Sequence, residues 1–331
     1  MSAPDLYGAQ SGFARMTAVL RDYVSLTKPR VMSLLLLTSI TGMILAAGGF
    51  PDGVVFVAVI VGGICASGGA SALNHWLDRD IDLEMKRTAT RPVASGRVRP
   101  MSAFAFGIVL NIISFGVLFA WANLLAALLA MSGTLIYVIV YTIWLKRSSV
   151  QNIVIGGAAG AIPPMVGWAG VENSIGLEAW YLFAIIFFWT PPHFWALALL
   201  IKDEYKAAGI PMLPVVAPRS TTNISIMLYT VLLVALTLAF VSASDMLGLI
   251  YFVPAAILGA IYIALTARLF RDDTRPAILG LYKYSLLYLA LLFVVVMVDG
   301  SIGEISQRFE RHNQVERVRK GRPFYILLIR R

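Results

Sequence analysis

Long apolar runs separated by short polar stretches dominate this chain, and the runs have the length of a bilayer crossing. Nine of them, over about 31–50, 53–74, 101–121, 124–145, 152–171, 179–201, 223–243, 246–269 and 277–298, hold the roughly 18 to 20 apolar residues that cross a membrane as a helix. None shows the every-second-residue alternation of a membrane β-barrel strand. The pattern predicts an all-α fold, a polytopic membrane bundle of about nine transmembrane helices. It divides into a segment 1–30, a transmembrane domain 31–299 and a basic C-terminal tail 300–331.

Composition supports the lipid bilayer as the solvent. Of 331 residues 59% are hydrophobic and 14% charged, with a mean hydropathy of +0.78, which excludes a soluble globular protein. Cys65 is the only cysteine, so no intramolecular disulfide or cysteine metal cluster can form. The first run is too long for the core of a cleaved signal, and Arg21, Lys28 and Arg30 stand before it, so a retained anchor is expected.

The net charge of +9 is distributed by side. Arg79, Lys86, Arg87, Arg91, Arg97, Arg99, Lys146, Arg147, Lys202, Lys206, Arg219, Arg268, Arg271 and Arg275 fall in alternate loops, and the loops between them hold no Lys or Arg. The positive-inside rule then sets the N-terminus and the large polar loops in the cytoplasm. Nothing in this distribution asks for a nucleic-acid partner. The tail fits less well: nine spans leave it outside, yet 308–331 holds eight Lys or Arg residues. Either the count is off by one or the tail lies beyond the rule's reach.

Candidate chemistry begins at Asn74, Asp78 and Asp82, four residues apart where the second apolar run ends. On an α-helix each step of four drifts about 40°, so an amide and two carboxylates share one face. Acids in an apolar helix are costly unless a cation uses them. Mg²⁺ prefers oxygen ligands and bridges carboxylates to phosphate, which makes it the leading candidate. A solvated charged face is the usual meaning of a charge run, but here the acids begin while the helix is still apolar. Arg87, Arg91 and Arg97 follow across a turn forced by Pro92 and Gly96, and can converge on the same mouth.

Further polar groups stand in or beside the spans. Lys146 and Arg147 close the fourth at the same membrane face, where a phosphate could use them. The fifth opens at Gln151-Asn152, is rich in glycine, and Pro163-Pro164 should break it. The sixth holds His193 among aromatics beside Pro191-Pro192, where a second break is expected. A buried histidine is more often structural, but within a membrane a contact with substrate becomes a reading of equal standing. Asp203 and Glu204 close this span and could hold a second metal. Two large loops, about 78–100 and 202–222, follow spans two and six, which suggests two four-helix halves with corresponding loops.

The run Asn74 to Asp82, with Lys86-Arg-Thr-Ala-Thr-Arg-Pro92 and Ser95-Gly-Arg97, resembles the UbiA-type intramembrane prenyltransferase superfamily. Tyr141 to Arg147, Asn152 to Pro164, Trp189 to Trp195 and Glu204 to Pro214 resemble its protohaem-farnesylating branch, and the likeness extends from Leu26 to about Val298. The resemblance implies Mg²⁺ held by Asn74, Asp78 and Asp82 and carrying farnesyl diphosphate, with Arg87, Arg91, Lys146, Arg147 and Asn152 at the diphosphate. It implies haem B as acceptor against His193, Trp189, Phe194 and Trp195, haem O as product, a bacterial cytoplasmic (inner) membrane, and a haem A synthase or terminal-oxidase assembly partner. The superfamily's second acidic motif has two aspartates four apart, where this chain has Asp203-Glu-Tyr-Lys206. Two rivals remain: a prenyltransferase for an aromatic, quinone-precursor acceptor, which would share the diphosphate site, and a secondary transporter, whose acids belong nearer the midplane.

Overall fold

The computed structural model describes residues 12–319 except 273, with side chains over 13–302. Among these residues it is all helix, without strands, and nine helical segments are long and apolar enough to cross a membrane. The chain is an integral, multi-pass membrane protein. The basic tail side chains beyond 302 lie outside the described residues. The backbone helix itself runs unbroken across the expected 299/300 boundary, from Arg275 to Arg319.

The elements are α1 (Gly12–Leu26), α2 (Pro29–Ala47), α3 (Gly53–Leu77), α4 (Arg79–Glu84), α5 (Pro100–Trp121), α6 (Leu124–Leu135), α7 (Asn152–Ala161), α8 (Pro163–Glu172), α9 (Leu177–Leu200), α10 (Lys202–Ala207), α11 (Leu213–Val216), α12 (Arg219–Ala243), α13 (Leu249–Arg268) and α14 (Arg275–Arg319). Local chemistry marks their ends. The Asp52 carboxylate accepts from the Val54 and Val55 amides and starts α3. Asn123 starts α6 by accepting from the Ala126 amide, and its own amide donates 2.6 Å to the Ala169 carbonyl of α8. Asp299 near the end of the last span accepts from the Gly248 amide at 2.6 Å and the Tyr251 amide at 3.0 Å, capping α13 from another helix.

Two proline pairs behave differently. The fifth span breaks at Ile162 into α7 and α8, as expected of Pro163-Pro164. Ser39 on α2 donates 2.9 Å to the Pro163 carbonyl. There α2 and α8 cross with backbones in contact: a Cβ on Gly42 would meet the Pro164 carbonyl, and one on Gly167 the Ser39 carbonyl. In the sixth span the expected second break is absent, and α9 runs from Leu177 to Leu200 through Pro191 and Pro192. Its residues from Trp189 to His193 are all buried against neighbouring helices, so packing holds the helix where two amide donors are missing.

The fourth span changes character midway. After α6, Ile136–Leu145 is π-helical, and the Lys146 amide bonds back to the Tyr141 carbonyl five residues earlier. Short helices α4 and α10, six residues each, follow the second and sixth spans, which matches the expected correspondence of the two loops. Ile81 and Met85 from the first loop pack with Tyr205, Ile210 and Met212 from the second. The Glu204 carboxylate also accepts from the Arg87 amide at 3.3 Å. The two large loops thus form one roof over one end of the bundle.

Helix α1 was not foreseen in the N-terminal segment. It docks beside the roof through Asp22, which pairs with Arg97 at 3.0 Å, and through Tyr23, edge-on to Phe106. Between α1 and α2 the chain turns at Lys28 with φ 50°, a left-handed conformation that costs a non-glycine residue about 1–2 kcal/mol.

Candidate active site

Under the roof the three polar residues share one face, as their spacing demands. The Asp78 amide bonds the Asn74 carbonyl at 2.9 Å and the Asp82 amide bonds the Asp78 carbonyl at 2.8 Å. Helical bonding therefore carries through the α3–α4 junction and keeps the line straight. All three side chains are buried.

Each member of the line has its own cation. Asp78 Oδ2 accepts from Lys146 Nζ at 2.5 Å and from Asn74 Nδ2 at 2.7 Å. Both oxygens of Asp82 accept from Arg91 Nη1, at 2.7 and 2.9 Å. Asn74 Oδ1 accepts from Lys28 Nζ at 2.9 Å, and the same ammonium reaches the Tyr137 hydroxyl at 3.4 Å. Asn74 Nδ2 also donates to Thr142 Oγ1, one turn before Lys146. Burial, with Arg91 and Lys146 adding repulsion, holds the Lys28 ammonium down to about 7.

In the sequence Lys28 stands out only as a basic residue before the first span. Its approach depends on a left-handed turn that a lysine does not advertise, although the step into Pro29 at the start of a span was a visible signal. Tyr137 and Thr142 were missed because an α-helix would not put 137 and 142 on one face with Lys146. The π-helical stretch does, and Thr142 Oγ1 bonds the Tyr137 carbonyl five residues back.

The other expected diphosphate residues stand apart from the line. Arg147 is half-exposed and forms a two-pronged pair with Asp80 at 2.7 and 2.8 Å. The guanidinium holds the Asp80 carboxyl down at about 2. Arg87 is exposed and touches Glu204 through its backbone. Asn152 is buried beside the cluster, its amide 3.4 Å from the Lys146 carbonyl and its Oδ1 without a partner. Asp203 is exposed on α10, and Glu204 belongs to the roof.

The acceptor residues form a second cluster on α9. His193 Nδ1 lies 2.7 Å from Ser285 Oγ on α14, and Trp189 Nε1 donates 2.7 Å to the Ser285 carbonyl. Rings of Trp189 and Tyr282 stack on His193 at 4.3 and 5.0 Å, with Phe194 edge-on at 5.2 Å. Trp195 is buried and meets Tyr229 of α12 edge-on. Phe194 links the clusters, since it packs with Tyr141 against the roof's apolar underside, and Tyr141 stacks on Tyr137. Ser285 and Tyr282 lie in an otherwise ordinary apolar span, and only the tertiary contact singles them out.

No group of three or more His, Cys, Asp or Glu residues among those described is arranged to hold a metal ion by itself. The line still fits one shared with an anion. Its donors are all oxygen, and Asp78 Oδ1 is buried with no partner. Three basic groups surround two carboxylates, so a cation alone is ill matched while a metal diphosphate would complete the charge.

Residues 35–298 match the model of the UbiA prenyltransferase family. The chain belongs to that family. It is 50% identical over 285 residues to a protoheme IX farnesyltransferase of Roseiflexus castenholzii, covering 86% of this chain and 53% of the relative. It is 48% identical over 292 residues to one from Gloeobacter violaceus, covering 88% and 95%. The chain thus spans about half the length of the first of these relatives and nearly all of the second. Among solved structures, a UbiA homolog from Archaeoglobus fulgidus bound to GPP and Mg²⁺ shares the fold, with a TM-score of 0.59 at 16% identity over 83% of this chain and 99% of that one.

Proposed function

We propose that this chain transfers a farnesyl group from farnesyl diphosphate to a vinyl group of haem B, with addition of water, giving haem O and diphosphate. One observation carries the reading: a buried Asn74–Asp78–Asp82 line ringed by Lys28, Arg91 and Lys146, in a chain about half identical to relatives bearing the farnesyltransferase name.

Mg²⁺ bound there would share the charge that develops on the departing diphosphate. The free Oδ1 of Asp78, with Asp82 and Asn74, would hold it. Arg91 and Lys146 would exchange their carboxylate partners, and Lys28 the amide oxygen of Asn74, for phosphate oxygens. Arg87 and Arg147 stand at the rim for a phosphate entering or leaving, and Asn152 supports Lys146 through its carbonyl. A second ion would draw on Asp203 and Glu204, at the roof and off the line.

The apolar walls below keep bulk water from an allylic cation. His193, Trp189, Phe194 and Trp195 offer flat aromatic surface for a porphyrin, and Tyr141 and Phe194 connect it to the diphosphate end. The same reading sets the N-terminus on the cytoplasmic side of a bacterial inner membrane, supported by the basic loops, and passes product to a haem A synthase or oxidase-assembly partner. The test is the purified full chain with haem B, farnesyl diphosphate and Mg²⁺. Mass spectrometry should find a farnesylated, hydrated haem that a chelator prevents. Prenylation of 4-hydroxybenzoate with haem B untouched would overturn the acceptor.

A further inference from the structure

Helix α1 carries an apolar stripe that the described residues leave uncovered. Counting 100° per residue, Phe13, Met16, Leu20 and Val24 fall within about 80° of one another around the helix. Each is exposed, from 49% at Val24 to 74% at Phe13. Thr17, Arg21 and Ser25 form the adjoining polar flank and are exposed as well. A helix split in this way, with nothing packed on its apolar side, has the pattern of one lying in a membrane interface.

Contacts fix its depth. Tyr23, which borders the stripe, meets Phe106 edge-on at 5.0 Å, six residues and about 9 Å by helical rise into α5. Leu26 is buried in one cluster with Ala72 of α3 and Ala103 of α5. A Cβ on Gly68 would come within 3.1 Å of the Thr27 side chain, nine residues and about 13 Å before the end of α3. Both α3 and α5 are long and apolar enough to cross the bilayer, so the last turns of α1 run beside membrane-embedded helix and its stripe continues their lipid-facing surface. In water those four side chains would lose the stabilisation of burial, and among acyl chains they regain it.

The connection from α1 to α2 carries this position to the polar line. Only Thr27 and Lys28 separate the two helices. The Lys28 amide bonds the Ser25 carbonyl at 3.3 Å, and its own carbonyl accepts from the Val31 and Met32 amides at 3.0 and 3.1 Å, which ties the residue to both. Its ammonium reaches Asn74 at 2.9 Å although Arg91 and Lys146 stand near enough to repel it. The one ion pair that fastens α1 to the roof, Asp22 with Arg97, is partly exposed and therefore weak.

We propose that α1 lies in the roof-side interface of the bilayer with Phe13, Met16, Leu20 and Val24 among acyl chains, and that this seating holds Lys28 against Asn74. The lipid surface is then part of what keeps the third cation at the buried line. The inference uses neither the donor nor the acceptor of the proposed function, and its tests need no turnover.

Two measurements on the full chain in phosphatidylcholine vesicles decide it. In a Cys65→Ser background a fluorescent thiol label is placed through Leu20→Cys or Arg21→Cys. Phosphatidylcholine with a nitroxide on its acyl chain should quench the label at position 20 more than aqueous iodide does, and at position 21 the balance should shift toward iodide. Equal iodide quenching at the two positions would put the stripe in water. Protection of position 20 from both quenchers would put protein over it, a second copy or residues 1–11 of this chain, and either result overturns the proposal. Reductive methylation of lysines, read by peptide mass spectrometry, then follows Lys28 and Lys146. Met16→Ser combined with Leu20→Ser should raise the labelling rate of Lys28 about tenfold and leave Lys146 unchanged. Met16→Leu with Leu20→Ile keeps the stripe apolar and should match wild type. An unchanged Lys28 rate in the serine variant overturns the coupling. So does a parallel rise at Lys146, because the whole bundle would then have loosened.

Discussion

Replacing Asp78 by Asn takes one charge from a pair sealed inside the bundle. The carboxylate is 0% exposed, Lys146 is 11% exposed, and they meet at 2.5 Å. Removing one partner leaves the ammonium buried and unpaired, at a cost of about 3–5 kcal/mol. The single variant should therefore unfold at markedly lower temperature. The double variant Asp78→Asn with Lys146→Met removes both charges and should regain most of that stability, since an apolar chain of similar length fills the space. Activity should behave differently. If the carboxylate holds a metal that neutralises the leaving diphosphate, its loss should lower kcat by about a thousandfold, or about 4 kcal/mol of barrier, in both variants. Chromatography of farnesylated haem and thermal unfolding of the same preparations check the two expectations. A double variant that regains activity along with stability would refute the reasoning, because Asp78 would then be a structural partner of Lys146.

Four more outcomes follow from the geometry. His193→Ala loses the contact with Ser285 and two stacked rings, and should raise KM for haem with KM for farnesyl diphosphate unchanged; equal loss of both would mark a folding residue. Gly42→Ala sets a methyl against the Pro164 carbonyl, so unfolding experiments should show a loss of about 1–3 kcal/mol; an unchanged melting temperature would contradict the close crossing. Asp299→Ala removes the acceptor for two amides of α13 and should cost about 1–2 kcal/mol, with turnover per folded molecule unaltered; a matching fall in kcat would link that far end to the chemistry. Asp80, held at about 2 by Arg147, stabilises the fold above its unfolded value near 4, and that contribution is lost as pH falls toward 2. The pair is largely exposed and worth at most about 1 kcal/mol, so Asp80→Asn should slightly flatten stability between pH 4 and 2, and a large effect at pH 7 would contradict that.

Hydropathy made the spans legible because lipid leaves a backbone so few options, and the helical spacing of Asn74, Asp78 and Asp82 carried straight into the structure. The choice of counter-ion was much less visible. Lys146 and Arg147 are neighbours in sequence, yet one faces Asp78 inside the bundle and the other Asp80 outside, since adjacent helical residues diverge by about 100°. The π-helical turns after Ile136 carry no clear composition signal, and they alone bring Tyr137 and Thr142 toward Asn74. Proline read as a break was right in the fifth span, which divides at Ile162 with Ser39 of α2 on the Pro163 carbonyl, and mistaken in α9, where surrounding helices hold the backbone straight.

The shared roof has a consequence for how the protein is made. Ile81 and Met85 leave the ribosome more than a hundred residues ahead of Tyr205, Ile210 and Met212, the partners that close over them. A nascent chain that ends after α8 would already own every acid and base of the inner line and still be open to water. Under the proposed function, competence to handle a reactive carbocation would therefore arrive late, with insertion of the second half, and an unfinished translation product would have no sealed chamber in which to release one.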